Sequence, residues 1–157
     1  MKEIMNTIAI SPFEWSGLIA CLVCGGLIGF ERQMSGKPAG IRTSVLICFS
    51  TYIFASLSNF LVTDLGDPSR VVGQIVTGVG FLGGGVMLTR EGLVVGVTSA
   101  AIIWLLAALG CLIAFGYEIH AVVFTVLALI MLYGVNYLER LVKHLNKGVH
   151  QRDETEE

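Results

Sequence analysis

The charged residues of this chain are confined to a few short stretches, and the charge-free runs between them occupy residues 15–30, 43–63, 71–89, 92–117 and 119–138. A helix needs roughly 20 apolar residues, within a range of about 17–25, to cross the hydrocarbon of a bilayer. Four runs reach that length and the first falls a little short. Only 14% of the residues are charged, against about 25% in soluble domains. In hydrocarbon every backbone polar group must be satisfied internally, and the alternation that a closed barrel would need is absent here. The expected fold is an all-α integral membrane protein, a bundle of five transmembrane helices over 15–30, 41–61, 69–88, 93–115 and 119–137. Short loops make sequential neighbours antiparallel.

Lysine and arginine set the expected sidedness. The first loop, the third loop and the C-terminal segment carry Arg32, Lys37, Arg42, Arg90, Arg140, Lys143, Lys147 and Arg152, whereas only Lys2 and Arg70 fall on the other side. Positive charge stays in the cytoplasm, so the N-terminus is expected outside and the C-terminus inside. Trp15, Tyr117, Tyr133 and Tyr137 fall near span ends, where an interfacial aromatic belt belongs. Residues 1–137 form the membrane domain. Residues 138–149 alternate Leu138, Leu141, Val142 and Leu145 with basic residues, the pattern of an amphipathic helix that lies on the cytoplasmic surface or continues the fifth span. Residues 150–157 read as a disordered acidic tail. A net charge of −2 gives no reason to expect nucleic acid. The lipid bilayer is the expected surround.

Several motifs carry less than they promise. Cys21 and Cys24 read as two small apolar side chains on one helical face, because no histidine or second pair completes a metal shell. The Leu18–Cys21 lipoprotein-like box lacks a basic leader, and its apolar run continues past the cysteine. Gly78-Val79-Gly80-Phe81-Leu82-Gly83 matches the spacing of a dinucleotide fingerprint, but it has no strand before it and no acidic residue about 20 positions later. Thr98 and Ser99 are expected to bond back to their own helix. Trp104 is too deep for the belt and is expected between helices, and His120 at the rim of the fifth span.

The polar residues within or beside the spans are the candidate site: Glu31, Arg42, Asp67, Arg70 and Gln74. A 16-residue first span reaches only about 24 Å, so Glu31 and Arg32 fall near the boundary. A charge deep in hydrocarbon costs about 2.5–3.5 kcal/mol, and Arg42 is the expected mate of Glu31, with Arg32 either a partner or a topology anchor. Asp67 followed by Pro68 is a strong helix start, so capping accounts for Asp67 as well as a site role does. Arg70, Gln74 and Thr77 continue a polar stripe inward. A second set, Gly25 and Gly29 in the first span with Gly73, Gly80 and Gly84 in the third, forms small-residue ridges that let helices approach closely. Packing within the bundle is the expected use of these ridges, a helix dimer or a hinge the alternative.

Three ordered blocks resemble the MgtC/SapB family over about 15–140. They are Glu31-Arg32 with the 37–43 segment Lys-Pro-Ala-Gly-Ile-Arg-Thr, the 67–85 segment from Asp-Pro-Ser-Arg to Gly-Gly-Gly, and the 96–104 segment from Gly-Val-Thr-Ser to Trp. The departures are Ser44, where a histidine is frequent, and Gly84, where alanine is common. Virulence proteins of this family carry a soluble C-terminal domain of ACT-like fold, and this sequence is expected to stop before one could begin, so it is similar to the short, SapB-like members. The resemblance implies a bacterial inner-membrane protein tied to magnesium limitation. Some members act on the F-type ATP synthase or on survival in host cells. An older transport-ATPase label finds no support, since nothing here could bind and hydrolyse a nucleotide. Two functions follow: a non-enzymatic membrane regulator, in a homo-oligomer such as a dimer, or a small ion transporter or channel. No cofactor is expected. Mg²⁺ association is conceivable, but the carboxylates are few for a cation that wants several oxygens.

Overall fold

Two helices of this bundle end in a glycine turn that the sequence supplies, and a third begins on a side-chain cap. The computed structural model describes residues 11–61, 67–90 and 93–141. Five helices are present: α1 (Trp15–Met34), α2 (Ile41–Leu61), α3 (Pro68–Gly85), α4 (Val97–Ala114) and α5 (Glu118–Leu141). α1 stops in a Schellman motif: Gly36 sits at φ +63°, its N–H bonds to the Gln33 carbonyl, and Lys37 N–H bonds to the Arg32 carbonyl. α4 stops the same way at Gly116, φ +79°, with Tyr117 N–H on the Leu112 carbonyl. α3 opens on Asp67, whose side chain accepts from Ser69 N–H at 2.9 Å.

α1, α2, α4 and the Glu118–Val135 part of α5 are long and apolar enough to cross a membrane. α3 is not among them, because Arg70, Gln74 and six glycines dilute its 18 residues. The chain is a multi-pass membrane protein whose outward faces are apolar along most of their length, with Leu22, Phe54, Phe81 and Ile130 all exposed.

Three boundaries differ from the sequence reading. α1 runs on to Met34, so the first helix is not short. Its last turn encloses Glu31 and Arg32 instead of ending before them. The fourth helix starts at Val97, not 93, and the third ends at Gly85, not 88, because 88–90 and 93–95 pair as antiparallel strands. Its strands are β1 (Leu88–Arg90) and β2 (Leu93–Val95), with Leu88 opposite Val95 and Arg90 opposite Leu93. Gly96, at φ +91°, turns the chain from β2 into α4, and a β-carbon there would collide with the Val86 carbonyl. The bundle is therefore not purely helical. α5 continues without a break through 138–141. The rest of the expected amphipathic helix and the acidic tail lie outside the described residues.

α1 packs along α2, α2 along α4, and α5 against α1 and α4. Cys21, Cys24, Ile28, Cys48, Leu106 and Leu109 are fully enclosed between them. α3 rests on α4 and, less extensively, on α2. Trp104, expected between helices, is 57% exposed and lies in an outward apolar groove with Val72 and Val76 of α3.

Candidate functional site

The polar centre of the bundle lies where the last turn of α1 meets the first turns of α2 and α4. Glycine makes this meeting possible. A β-carbon at Gly29 would come within 2.5 Å of the Ile41 α-carbon and 2.9 Å of the Ser44 β-carbon, and one at Gly25 within 2.8 Å of the Val45 α-carbon. The two helices therefore touch backbone to backbone. Gly110 does the same for α4, its missing β-carbon leaving room for the Cys48 carbonyl and Thr51.

Beside this contact lie Glu31 and Arg32, only 1% and 4% exposed. Arg32 Nη1 stands 3.5 Å from Glu31 Oε2, and its Nη2 donates to Ser99 Oγ at 3.1 Å, tying α1 to α4. Ser35 Oγ donates to Glu31 Oε1 at 2.8 Å. Consecutive residues do not ordinarily face each other on a helix, so Arg32 must fold back along its own turn to reach Glu31. An arginine in the last turn is favoured by the helix dipole, whereas a glutamate there is not, and Glu31 depends on these partners. The set is incomplete: Glu31 Oε2 and Arg32 Nε are buried without a hydrogen bond. In the loop above, Ala39 adopts φ +64°, and Ser44 Oγ donates to its carbonyl at 2.7 Å.

The five site residues predicted from sequence do not form one cluster. Glu31 is enclosed as described, but its partner is Arg32, not Arg42, whose side chain is exposed on the first turn of α2. Asp67, Arg70 and Gln74 are exposed on the first turns of α3. Thr77, read as the inner end of that stripe, donates to the Gly73 carbonyl of its own helix. The Asp67 carboxyl is held below the usual carboxylate range by the hydrogen bonds from Ser69, with the Arg70 charge adding to it. Of the glycines, Gly25 and Gly29 meet α2, while Gly73, Gly80 and Gly84 have nothing within 4 Å of an added β-carbon, so that ridge is open among the described residues. Sequence reasoning missed Ser35 and Ser99. The signal was a hydroxyl one turn after Glu31, and another at the start of the helix that follows a glycine turn. Among the described residues no three His, Cys, Asp or Glu side chains gather closely enough to hold a metal ion.

The profile of the MgtC family matches residues 18–141, which include the whole Glu31–Arg32–Ser99 arrangement. The chain is 41% identical over 143 residues to YhiD of Escherichia coli K12, provisionally named a magnesium transporter, a match covering 85% of this chain and 64% of YhiD. It is 42% identical over 109 residues to protein MgtC of Brucella abortus strain 2308, covering 69% of this chain and 45% of that protein. The likeness to protein MgtC of Salmonella typhimurium strain 14028s is 39% over 113 residues, or 71% of this chain and 48% of that one. The chain thus spans less than two thirds of the length of these relatives. No solved structure matches it. A family profile over most of the chain and relatives near 40% identity lead to one conclusion: the chain belongs to the MgtC family.

Proposed function

We propose that this chain is a non-enzymatic regulator of the bacterial inner membrane, linked to magnesium limitation or stress adaptation, which acts by docking a partner helix within the bilayer. All five helices lie in the membrane in this reading, with the N-terminus outside and the C-terminus in the cytoplasm. The observation that carries it is the open face of α3. Its ridge of Gly73, Gly80 and Gly84 meets nothing among the described residues, whereas Gly25, Gly29 and Gly110 are filled by neighbouring backbone. In lipid, where apolar burial gives no net drive, small residues on a helix face favour association by close packing. A second copy is one partner for that face. A membrane enzyme such as the F-type ATP synthase, implied by the family resemblance, is another.

The provisional name of YhiD favours a second reading, a small transporter or channel for Mg²⁺ or another cation. Against it, the interior between the two ends is closed by Cys24, Ile28, Leu106 and Leu109, each fully buried. The one buried carboxylate of the described core already faces an arginine. Affinity capture of the full chain from native membranes separates the two readings. A stoichiometric membrane partner, a second copy included, lost on Gly80→Leu supports regulation, and recovery of the chain as a monomer alone defeats it. Ion flux into proteoliposomes above that of empty vesicles would favour transport.

A further inference from the structure

The first turn of α4 is a helix start without a cap. Its N-cap residue is Gly96, which has no side chain to close the turn, and the N–H groups of Val97, Thr98 and Ser99 find no acceptor among the described residues. Such a turn concentrates positive partial charge where an anion can meet it. α3 shows the contrast, since Asp67 caps it with a carboxylate of its own. The 18 residues of α4 reach about 27 Å, close to a hydrocarbon thickness of about 30 Å, so this turn lies at the depth of lipid headgroups. Val97 and Thr98 are exposed there.

A helix start alone binds nothing in particular. The second, independent observation is Arg32, 4% exposed, whose Nη2 donates to Ser99 Oγ at 3.1 Å in that same turn. Nε shares an edge of the planar guanidinium with Nη2, and it is buried without a hydrogen-bond partner. This edge is aimed at the start of α4 with half of its donor fork unused. Phosphate oxygens, which accept paired N–H bonds from such an edge, are its chemical complement. The Ser99 hydroxyl accepts from Nη2 and keeps its own proton free to donate. Glu31 opposes an anion here, but its Oε2 stands 3.5 Å from Nη1, away from the Nε–Nη2 edge. Lys37 and Arg42, both exposed at this end of the bundle, keep the surroundings cationic.

We infer that the first turn of α4, with Arg32 behind it, binds a phosphate group, carried by a lipid headgroup or by free phosphate. The turn's N–H groups hold the outer oxygens, and the Ser99 hydroxyl and the Nε–Nη2 edge hold those turned inward. The Arg32 charge is already shared with Glu31, so the affinity is modest, and screening lowers it further as salt rises. The inference goes beyond the regulator reading and does not rest on it.

The test uses the full chain, delipidated in a maltoside detergent and carrying isotope-labelled arginine. The enclosed Arg32 Nε–H gives an exchange-protected magnetic resonance signal, identified by its loss in Arg32→Lys. Inorganic phosphate and a short-chain phosphatidylglycerol are titrated separately, with chloride and a diacylglycerol as blanks. The Arg32 signal should shift saturably while that of Arg70, at the other end of the bundle, stays put. A response to inorganic phosphate alone identifies a soluble ligand, and a response to phosphatidylglycerol alone a headgroup. Calorimetric titration with the responding ligand then compares variants. Thr98→Asp fills the turn with a carboxylate that the helix dipole favours, so it should weaken binding by about tenfold or more without lowering thermal stability. Thr98→Asn should bind within a few-fold of native. Glu31→Gln should tighten binding several-fold and Arg32→Lys weaken it, whereas a merely structural loss would move both the same way. No saturable shift with either source below about 10 mM, equal binding by Thr98→Asp and the native chain, or loss of binding in Lys37→Gln with Arg42→Gln would each overturn the inference.

Discussion

Removing one member of the Glu31–Arg32 pair should destabilise the bundle far more than removing both. At 3.5 Å and an effective dielectric constant of about 20, two unit charges attract by about 5 kcal/mol. The separation exceeds that of a good N–H···O bond, so no separate hydrogen-bond contribution is added. Glu31→Gln leaves the Arg32 guanidinium enclosed with Ser99 as its main partner, and Arg32→Met leaves the carboxylate with Ser35 alone. Breaking a buried pair in this way costs about 3–5 kcal/mol. Replacing both residues removes the desolvation cost along with the attraction, and such replacements are commonly neutral or mildly stabilising. The double variant is therefore expected within about 1 kcal/mol of the native protein, giving a coupling energy of about 5–10 kcal/mol, at or above the Coulomb figure because each single variant also leaves a buried charge unpaired. Reversible unfolding in mixed micelles, followed by circular dichroism, supplies the four free energies of the cycle. Single variants that cost less than about 1 kcal/mol, or that add to the cost of the double, would show that the two charges are solvated and the enclosed site does not exist.

Three further outcomes follow from described geometry. Gly29→Ala should cost about 1–3 kcal/mol by forcing α1 from α2, whereas Gly84→Ala, with open space around it, should be neutral or stabilising by up to about 1 kcal/mol, both read from the same unfolding curves. The Asp67 cap should fail in acid. Its folded carboxyl titrates below the ordinary range, so its contribution is complete above the unfolded value near pH 4 and disappears as pH falls through the lower folded one. Hydrogen exchange at 71–73 should then rise below about pH 4 in the native chain but stay level in Asp67→Asn, which caps at any pH. Finally, Trp104 should be strongly quenched by brominated acyl chains in a Trp15→Phe background, since it faces outward. A Trp104 shielded from such lipids would return it to the bundle interior.

The helices were legible because hydrocarbon length and charge placement fix them almost unaided. α2 begins and ends at the residues expected from sequence, and the Asp67-Pro68 start holds as a cap. What escaped depended on the third dimension. Leu93, Val94 and Val95 look like the head of a span, but Gly96 in the left-handed region cuts them off and pairs them with 88–90. Ser99 is expected from sequence to bond back to its own helix, as Thr51, Thr77 and Thr125 do, yet it accepts from Arg32 because its helix begins against the end of α1. Arg42 looked like the partner of Glu31 because it begins the next helix. The nearer arginine, one residue along, folds back instead, which spacing rules for helices disfavour. Glycine spacing likewise identified ridges but not which of them would be covered.

The lopsided seating of α3 has a consequence for how the chain comes apart. Its enclosed residues amount to Val79 and Gly83, while α1, α2, α4 and α5 share the sealed interior. Heating should release α3 and the adjoining hairpin first, leaving a four-helix remnant that melts later, so calorimetry should trace two transitions and not one cooperative collapse.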